Sequence, residues 1–199
     1  MYMEFDSVVK KRASVRSFTS KKPSWKSILE AIEAAIQGPL AGNHNFLKFL
    51  IVEDKENIKF IAKQCEQEWI SQASIAVIVL SDDTHLEEIY GDRGRVYSRQ
   101  EAGAAIQTML LKLVDLNLSS CWVGSYDDPA IKEKFKIPEQ VQIEAILPIG
   151  YAASKSQKTA KKSMESVLYW EKWDQQKRSS LFEEDRVDYA PQGEFLNEK

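Results

Sequence analysis

The chain has 199 residues, and its 27 Lys and Arg residues against 30 Asp and Glu residues give a formal net charge of −3. This near-balance argues against a nucleic-acid-binding domain, which typically carries a strongly basic stripe. With two cysteines, two histidines, no leader and no long apolar run, the composition favours a single cytoplasmic domain over a disulfide-stabilised, zinc-binding or membrane-spanning protein.

Hydrophobic periodicity predicts alternating helices and strands along most of the chain. Apolar residues every three or four positions indicate amphipathic helices, and short apolar runs indicate strands that are covered on both faces. In chain order, the pattern predicts helix 3–11, helix 24–37, strand 46–53, helix 55–70, strand 74–81, helix 99–116, strand 120–124, helix 128–135 and strand 141–151. A long central helix with strands before and after it favours an α+β fold, while an α/β sheet stays open.

Short sequence motifs predict where two helices begin, and a run of charged residues predicts a segment without a helix or strand. Ser27 and Glu30 have the spacing of a capping box in the second helix. Asp128 followed by Pro129 predicts a capping residue and then a proline at the first helical position. The charge run over 83–95 predicts a solvated, mobile segment.

The stretch KRASVRSF near the amino end places Arg12, Ser14 and Arg16 at alternate positions. Alternate residues share a face of an extended backbone, so two guanidinium groups and a hydroxyl would form an anion clamp. The Cα atoms of Arg12 and Arg16 would lie roughly 13 Å apart at the usual rise per residue. The alternative is a helix end whose basic residues only interact with the helix dipole.

The loop GPLAGNHNF at 38–46 joins a predicted helix to a predicted strand. Its Pro, Gly and Asn residues are typical of an ordinary turn. The functional alternative is a loop whose backbone groups and whose Asn43 and Asn45 amides bind the edge of a heterocycle, because amides offer both donors and acceptors. We expect His44 to be a turn or dimer-surface residue.

The stretch SSCWVGSYD at 119–127 ends a predicted strand at Gly124, and Ser125 follows where backbone N–H groups would be left unpaired. Strand ends of this kind commonly bind ligands, although a simple exit into a loop gives the same pattern. Cys121 lies in the apolar part and is expected to be buried rather than reactive. The basic cluster KTAKK at 158–162 indicates either a solvated face or added charge for an anion.

The sequence offers little for conventional acid–base hydrolysis. Two histidines do not provide a convincing nucleophile–His–acid arrangement, and neither a Walker loop nor a Gly-x-Gly-x-x-Gly motif is present. We therefore expect any chemistry to be carried by a bound cofactor.

Five stretches in this order resemble the motifs of the nitroreductase family of FMN-dependent oxidoreductases. RASVR at 12–16 is similar to the family's Arg-x-Ser-x-Arg, and GPLAGNHNF matches its Pro-Ser-Ala-x-Asn-x-Gln-Pro loop at Pro39, Ala41 and Asn43. EAGAAIQTMLLKLVDLNLSSCWVGSYD, IPEQVQIEAILPIGY and KKSMESVLYWEKW resemble the family's central helix and strand, its Pro-x-Gly-Tyr strand and its basic C-terminal segment. The resemblance covers about residues 4–173.

The resemblance implies a nitroreductase-like α+β fold, with a central, mostly antiparallel sheet flanked by helices. It further implies an intertwined homodimer with two FMN sites at its interface, and one FMN-binding domain over 1–199 whose last part, from about 165, forms an arm on the partner subunit. The implied reaction is ping-pong hydride transfer from NADH or NADPH through flavin N5 to a nitroaromatic, quinone or similar small molecule. FMN would carry the chemistry without a catalytic protein side chain.

The same resemblance implies roles for the residues of the first motif. Arg12 and Ser14 would hold the FMN phosphate and ribityl chain, and Ala13, where a second Arg is common, would act through its backbone. Arg16 would reach the N1/O2 edge of the flavin, where a fixed cation favours electron uptake.

Roles for the other motifs follow in the same way. The Gly124 and Ser125 backbone N–H groups would lie near flavin N5, and Lys161 or Lys162 would add a phosphate contact. The remaining implied contacts are loop residues, which would pack on the flavin of the partner subunit or bind its edge, namely Pro39, Leu40, Ala41, Asn43 and Asn45. The segment over 84–98 would form part of a lid over the pocket through Tyr90 and Tyr97.

The loop also departs from the family pattern. Leu40 replaces the usual Ser, Asn45 the usual Gln, and Phe46 and Leu47 the usual Pro and Trp. Loss of the hydroxyl at Leu40 removes one implied side-chain contact to the flavin. Three other functions stay open, namely a dehalogenating or flavin-fragmenting enzyme, a non-catalytic flavin-binding or storage module, and a structural dimer without cofactor.

Overall fold

The computed structural model describes residues 3–154 and 160–176. Its helices and strands, in chain order, are α1 Phe5–Lys11, α2 Trp25–Ala35, β1 Leu47–Val52, α3 Lys55–Gln64, β2 Ile75–Ser81, α4 Thr84–Tyr90, α5 Arg93–Asp115, β3 Ser119–Ser120, α6 Asp128–Phe135 and β4 Gln142–Gly150. Short 3-10 turns lie at Ala41–Asn43, Glu68–Gln72 and Met164–Ser166. No helix of these described ranges is long and apolar enough to cross a membrane.

The strands form one four-stranded sheet in the order β1-β2-β4-β3, and each neighbouring pair is antiparallel. Every residue of β2 is buried, as its apolar run predicts. Its register with β4 runs from the pair Ile75↔Ile149 to the pair Ser81↔Gln142, with an irregularity after Val79. The prediction of an α+β fold with an antiparallel sheet flanked by helices is confirmed.

Helices cover both faces of the sheet and form two core layers. On one face, α2 and α5 pack on β2 and β4, and the α5 residues buried in this layer are Ala102, Ala105, Ile106, Met109, Leu110 and Leu113. On the other face, α3 and α6 bury Ile58, Ile61 and Ile131. Each fully buried aliphatic side chain stabilises the fold by about 1.5–3 kcal/mol relative to exposure. The long helix α5 is therefore held along most of its length.

Two helix starts differ from the prediction. Ser24 caps α2 by accepting a hydrogen bond from Lys26 N at 3.3 Å, so Ser27 already lies in the first turn and the predicted capping box is wrong. Asp127 caps α6 by accepting from Ala130 N at 3.0 Å, so Asp128 is the first helical residue rather than the cap. In both cases a side-chain oxygen just outside the helix satisfies the first free N–H groups.

The stretch over 83–95, predicted to be a solvated, mobile segment, is mostly exposed, as predicted, but it is helical. This stretch forms α4 and the start of α5, which begins at residue 93 rather than near 99. Leu86 is fully buried and anchors α4 in the core. Gly94 lets the helices meet, because a Cβ there would overlap the backbone of Leu86 and Glu87. The many charged residues in this stretch therefore indicated a loop, although α4 and α5 pack against each other there.

Several predicted elements are shorter in the structure. α3 ends at Gln64, and a 3-10 turn at Glu68–Gln72 replaces its predicted last turns. Of the predicted strand 120–124, Ser120 belongs to β3 and Val123 forms an isolated bridge with Ile146.

The chain divides into two units, residues 1–156 and 157–199. In the second unit, the structure describes residues 160–176, where the segment KKSMESVLYWEKW contains a 3-10 turn at Met164–Ser166 and its residues are exposed. Neither the single-domain prediction nor the predicted arm on a partner is tested by this division, and both stay predictions.

Candidate functional site

The segment that follows α1 is extended and lies against the edge of the sheet. Ser14 forms a parallel bridge with Ser120, and Val15 N donates a hydrogen bond to Ser120 O at 3.1 Å. Val15 is buried, whereas Ser14 and Arg16 are exposed and Arg12 is half-buried. The alternation predicted for this stretch is therefore present, with the apolar residue in the core and the polar ones outside.

The same segment is fixed a few residues later. Phe18 bridges Ala152 in antiparallel fashion, and Thr19 N donates to Tyr151 O at 2.8 Å. Gly150 makes room for the Phe18 ring, because a Cβ at Gly150 would lie 2.9 Å from Phe18 Cδ1. The basic segment is thus held by the strand ends at β3 and β4.

Cys121 lies beside all three polar residues of the first motif. Burial raises the pKa of the Cys121 thiol, whereas the charges of Arg16 and Arg12 and hydrogen bonds with Ser14 and Arg16 lower it. Burial is the largest effect, and only 2% of the residue is exposed. The prediction that Cys121 is buried is confirmed, and its thiol stays protonated at neutral pH.

The side chains around this segment fit an anionic group. In the ranges 3–154 and 160–176, neither Arg12 nor Arg16 forms an ion pair with a carboxylate. The hydroxyl of Ser120 is buried without a hydrogen-bond partner. Guanidinium groups without carboxylate partners are donors of the kind that bind a phosphate, and an unsatisfied buried hydroxyl is rare in folded proteins.

Ala13 lies within the segment and is half-buried, and Gly124 and Ser125 are both exposed where the chain leaves the bridge at Val123. Space does not demand glycine at position 124, since the nearest heavy atom to a Cβ there would be Trp122 Nε1 at 4.0 Å. The bridge between Ser14 and Ser120 and the hydrogen bond from Val15 N to Ser120 O join the stretch KRASVRSF to the stretch SSCWVGSYD.

The loop over 38–46 turns sharply at Gly42 and Asn43, whose φ angles are 59° and 61°. Both lie in the left-handed region, which glycine adopts freely and asparagine tolerates. A Cβ at Gly42 would lie 2.7 Å from Tyr90 Oη. Asn43 and Asn45 are exposed, and the side-chain oxygen of Asn45 accepts from the backbone N–H of Leu47 at 3.1 Å. That oxygen therefore supports the start of β1.

A cavity of about 490 Å³ lies between this loop and the corner formed by α4 and α5. Its lining residues are Pro39, Leu40, Ala41, Tyr90, Tyr97, Gln100 and Glu101. The rings of Tyr90 and Tyr97 meet edge to face, with centroids 5.3 Å apart. The volume lies within the range of small-molecule sites, and the lining combines apolar, aromatic and polar groups. The loop over 38–46 thus shares this cavity with Tyr90 and Tyr97, the two tyrosines of the predicted lid.

Glu101 is a lining residue that the sequence analysis missed. It is 6% exposed, and its Oε1 accepts a hydrogen bond from Ala41 N at 2.5 Å. Burial raises the pKa of the Glu101 carboxyl, while the hydrogen bond from Ala41 and the charge of His44 lower it. One signal could have found it, since a glutamate four residues before Ala105 interrupts the inward stripe of α5.

His44 packs among aromatic rings rather than beside a nucleophile. Its ring centroid lies 5.8 Å from that of Phe46 and 5.3 Å from that of His85. Across residues 3–154 and 160–176, no group of three His, Cys, Asp or Glu side chains could hold a metal ion.

Lys161 and Lys162 belong to the second unit, where both are exposed. The first two residues of the KTAKK cluster, 158 and 159, lie outside the described residues.

Comparisons with known proteins give one consistent family. The family model described as "Nitroreductase family" matches residues 9–151. An iodotyrosine deiodinase of Thermotoga neapolitana is 28% identical over 167 residues, which cover 76% of this chain and 89% of that protein. A protein of Methanothermobacter thermautotrophicus, provisionally named as an NADH dehydrogenase/NAD(P)H nitroreductase, is 29% identical over 156 residues, covering 76% and 78% of the two chains.

Solved structures share the fold at lower identity. The hypothetical oxidoreductase YcnD from Bacillus subtilis aligns with a TM-score of 0.78 and 23% identity, over 85% of this chain and 75% of that chain. A nitroreductase family protein from Clostridium novyi NT aligns with a TM-score of 0.70 and 24% identity, over 87% and 96%. These alignments show a common architecture of helices around an antiparallel sheet.

Proposed function

Because the chain belongs to the nitroreductase family of oxidoreductases, we propose that it binds FMN and transfers hydride from NADH or NADPH to a small acceptor. The acceptor is a nitroaromatic, a quinone or a similar molecule, and it replaces the nicotinamide in a ping-pong cycle. The observation that carries this proposal is the extended segment from Arg12 to Arg16 against β3. Its two guanidinium groups lack carboxylate partners among the described residues, and the unsatisfied Ser120 hydroxyl lies beside it.

The first motif supplies the anion-binding groups in this proposal. Arg12 and Ser14 bind the phosphate and ribityl chain, and Arg16 binds the pyrimidine edge of the flavin. A guanidinium keeps its charge at all working pH values and forms two parallel hydrogen bonds to an oxyanion. Each such charge-assisted bond contributes about 1.5–3 kcal/mol net. Ala13 contributes its backbone N–H rather than its methyl group.

FMN, when bound, supplies the two-electron chemistry by accepting a hydride and passing it on. The fixed charge of Arg16 stabilises negative charge at the flavin edge and so favours electron uptake. The backbone N–H groups of Gly124 and Ser125, two exposed residues, orient the reacting edge. Lys161 or Lys162 adds charge to the phosphate site.

The loop residues contribute shape more than charge. Pro39, Leu40 and Ala41 present an apolar surface that packs on a flavin ring, and all three line the cavity. Asn43 and Asn45 lie exposed on the same loop, where their amides bind a heterocycle edge.

We further propose a homodimer, because α2 carries a second apolar stripe beside its buried one. Trp25, Leu29 and Ile36 fall on one side of the helix and are 59%, 45% and 37% exposed. On α1, Phe5 is 69% exposed. Exposed apolar side chains of this size indicate an interaction surface, which a second copy of the chain covers in this proposal. A reducing compartment such as the cytoplasm suits the two free, buried cysteines.

A visible spectrum of the purified chain, followed by NADH and NADPH oxidation assays, tests the proposed function. We expect yellow protein, or protein that takes up added FMN, and oxidation that accelerates when a quinone or nitroaromatic is added. Protein that stays colourless and does not bind added FMN overturns the proposal.

A second candidate function is reductive dehalogenation on the same flavin, because one similar protein is named an iodotyrosine deiodinase. Iodide release from iodotyrosine, with dithionite as reductant, distinguishes it from quinone and nitroaromatic reduction. Iodide release faster than quinone reduction would favour this second function over the first.

A further inference from the structure

The 3-10 turn at Ala41–Asn43 has no cap of its own. Leu40 occupies the capping position with extended angles (φ −128°, ψ 138°), and no side-chain hydrogen bond caps the turn from that position. The first N–H of the turn, at Ala41, therefore needs an acceptor from elsewhere. Glu101 supplies it from α5, at 2.5 Å and across 60 residues of sequence.

This hydrogen bond joins the two walls of the cavity. Ala41 lies on the loop wall, and Glu101 lies with Tyr97 on the helix wall. Glu101 precedes the buried Ala102 and Ala105 on a helix that is packed in the core, so its position is set by the fold rather than by the loop. A buried carboxylate is costly unless it is well satisfied. Its one hydrogen bond in the described chain goes to the loop backbone.

We propose that Glu101 is a positioning residue whose carboxylate holds Pro39, Leu40 and Ala41 in the conformation that receives the flavin ring. This inference rests on the proposed FMN site. Glu101 acts through the loop and does not touch the reacting atoms. No side chain at Leu40 caps the turn, and Glu101 satisfies the free N–H group of its first residue, Ala41.

Binding of FMN to purified variants, measured by quenching of flavin fluorescence, tests this inference. Glu101→Leu removes the acceptor, and Ala41→Pro removes the donor while suiting both the extended Leu40 and the first position of a turn. We expect each variant to bind FMN on the order of tenfold more weakly than wild type. The double variant should bind no more weakly than the weaker single variant, because both changes break the same bond.

Glu101→Gln retains an acceptor without the charge and should weaken binding only about threefold, since charge-assisted bonds are the stronger class. The wild-type advantage over Glu101→Gln should also shrink as the pH falls below the pKa of Glu101, because the phosphate titrates alike in both proteins. The titratable groups that surround Glu101 are His44 from the loop, Tyr90 from α4 and Tyr97 from α5. Glu133→Gln, on the exposed side of α6, should bind FMN like wild type.

Amide hydrogen exchange at Ala41 provides a measurement that needs no flavin. We expect slow exchange in wild type and at least tenfold faster exchange in Glu101→Leu, or in Glu101→Ala if the leucine variant does not fold by circular dichroism. If wild type binds no FMN, the proposed function fails and this exchange rate alone decides the role of Glu101. Equal exchange in wild type and variant, wild-type FMN affinity in Glu101→Leu, or losses that add in the double variant would each overturn the inference.

Discussion

Ser14 pairs with Ser120 in a parallel bridge, although all strand pairs of the sheet are antiparallel. The bridge brings a basic segment near the amino end to the strand that follows the central helix. Arg12 and Arg16 lie on this segment close to Cys121. Their charges are therefore positioned by main-chain pairing rather than by a flexible terminus.

Removal of either arginine should weaken FMN binding without unfolding the protein. Arg12→Ala and Arg16→Ala each delete charge-assisted hydrogen bonds of about 1.5–3 kcal/mol, so the dissociation constant for FMN should rise by at least tenfold. Arg16→Ala should also lower the midpoint potential of the bound flavin, because a cation near its edge is lost. Fluorescence titration and spectroelectrochemistry measure the two effects.

Lys63→Ala is the matched control for these arginine variants, since Lys63 is exposed on α3. It should leave both the FMN affinity and the potential unchanged. Wild-type affinity in Arg16→Ala, or an equal loss in Lys63→Ala, would count against a specific anion site.

A side chain at Gly42 should destabilise the protein for two separable reasons. Its φ of 59° disfavours any L-residue, and a Cβ there would lie 2.7 Å from Tyr90 Oη. We expect Gly42→Ala to lower the free energy of unfolding by about 1–3 kcal/mol in urea titrations. Adding Tyr90→Phe should restore the steric part of the loss and leave the backbone part.

Gly103→Ala provides the contrast, because a Cβ at Gly103 meets nothing within 4 Å on α5. Alanine should stabilise this helix by about 0.5–1 kcal/mol. Equal effects at Gly42 and Gly103 would contradict both the left-handed backbone at Gly42 and the close approach of Tyr90.

The buried carboxyl of Glu101 should give stability a specific pH dependence. Its pKa in the folded protein is raised above the ordinary value of 4.5, mainly by burial. Between 4.5 and the raised pKa, the folded protein retains a proton that the unfolded chain has released, so stability falls as the pH rises through this window. Glu101→Gln does not titrate there.

The melting temperature of Glu101→Gln minus that of wild type should therefore increase from about pH 4 upward and become constant above the window. Thermal unfolding followed by circular dichroism at several pH values measures this difference. A difference that decreases with rising pH would contradict the raised pKa.

Loss of Arg99 should be more damaging than loss of the more exposed Arg95. Arg99 donates to Ser81, Asp83 and Glu144, and the two carboxylate side chains are each 8% exposed. Arg99→Met leaves two buried charges without their cation and should cost about 3 kcal/mol of unfolding free energy.

Arg95→Met is the control for this ion pair, because Arg95 contacts Glu87 with a side chain that is 69% exposed. Solvent screening makes such pairs weak, so its unfolding midpoint should match that of wild type. Equal destabilisation by both changes would contradict the distinction between buried and exposed pairs.

The sheet and most helices could be predicted because their hydrophobic patterns are local. β2 is a continuous apolar run, and β4 is nearly so, which leaves little choice of structure. α4 was missed because its charged sequence resembles a solvated loop. Its stability depends on Leu86 in the core and on Asp83, which pairs with the distant Arg99. Pairing between remote residues leaves no local pattern.

The first motif of the candidate site was predicted correctly in its alternation, because Val15 among polar residues is a local signal. Glu101 was not predicted, since its partner is the backbone N–H of Ala41, and every residue except proline has such a group. The cavity was not predicted, because it forms where the loop over 38–46 lies against α4 and α5. Neither the loop sequence nor the helix sequence indicates that contact by itself.

Gly94 gives the cavity a fixed size on one side. Because α4 and α5 meet where even a methyl group would overlap the backbone, the helices cannot slide past each other without breaking that contact. Tyr90 and Tyr97, whose rings meet edge to face, line the cavity from these two helices. Discrimination between small and large acceptors would thus depend on the packing of α4 against α5 at Gly94, which does not line the cavity.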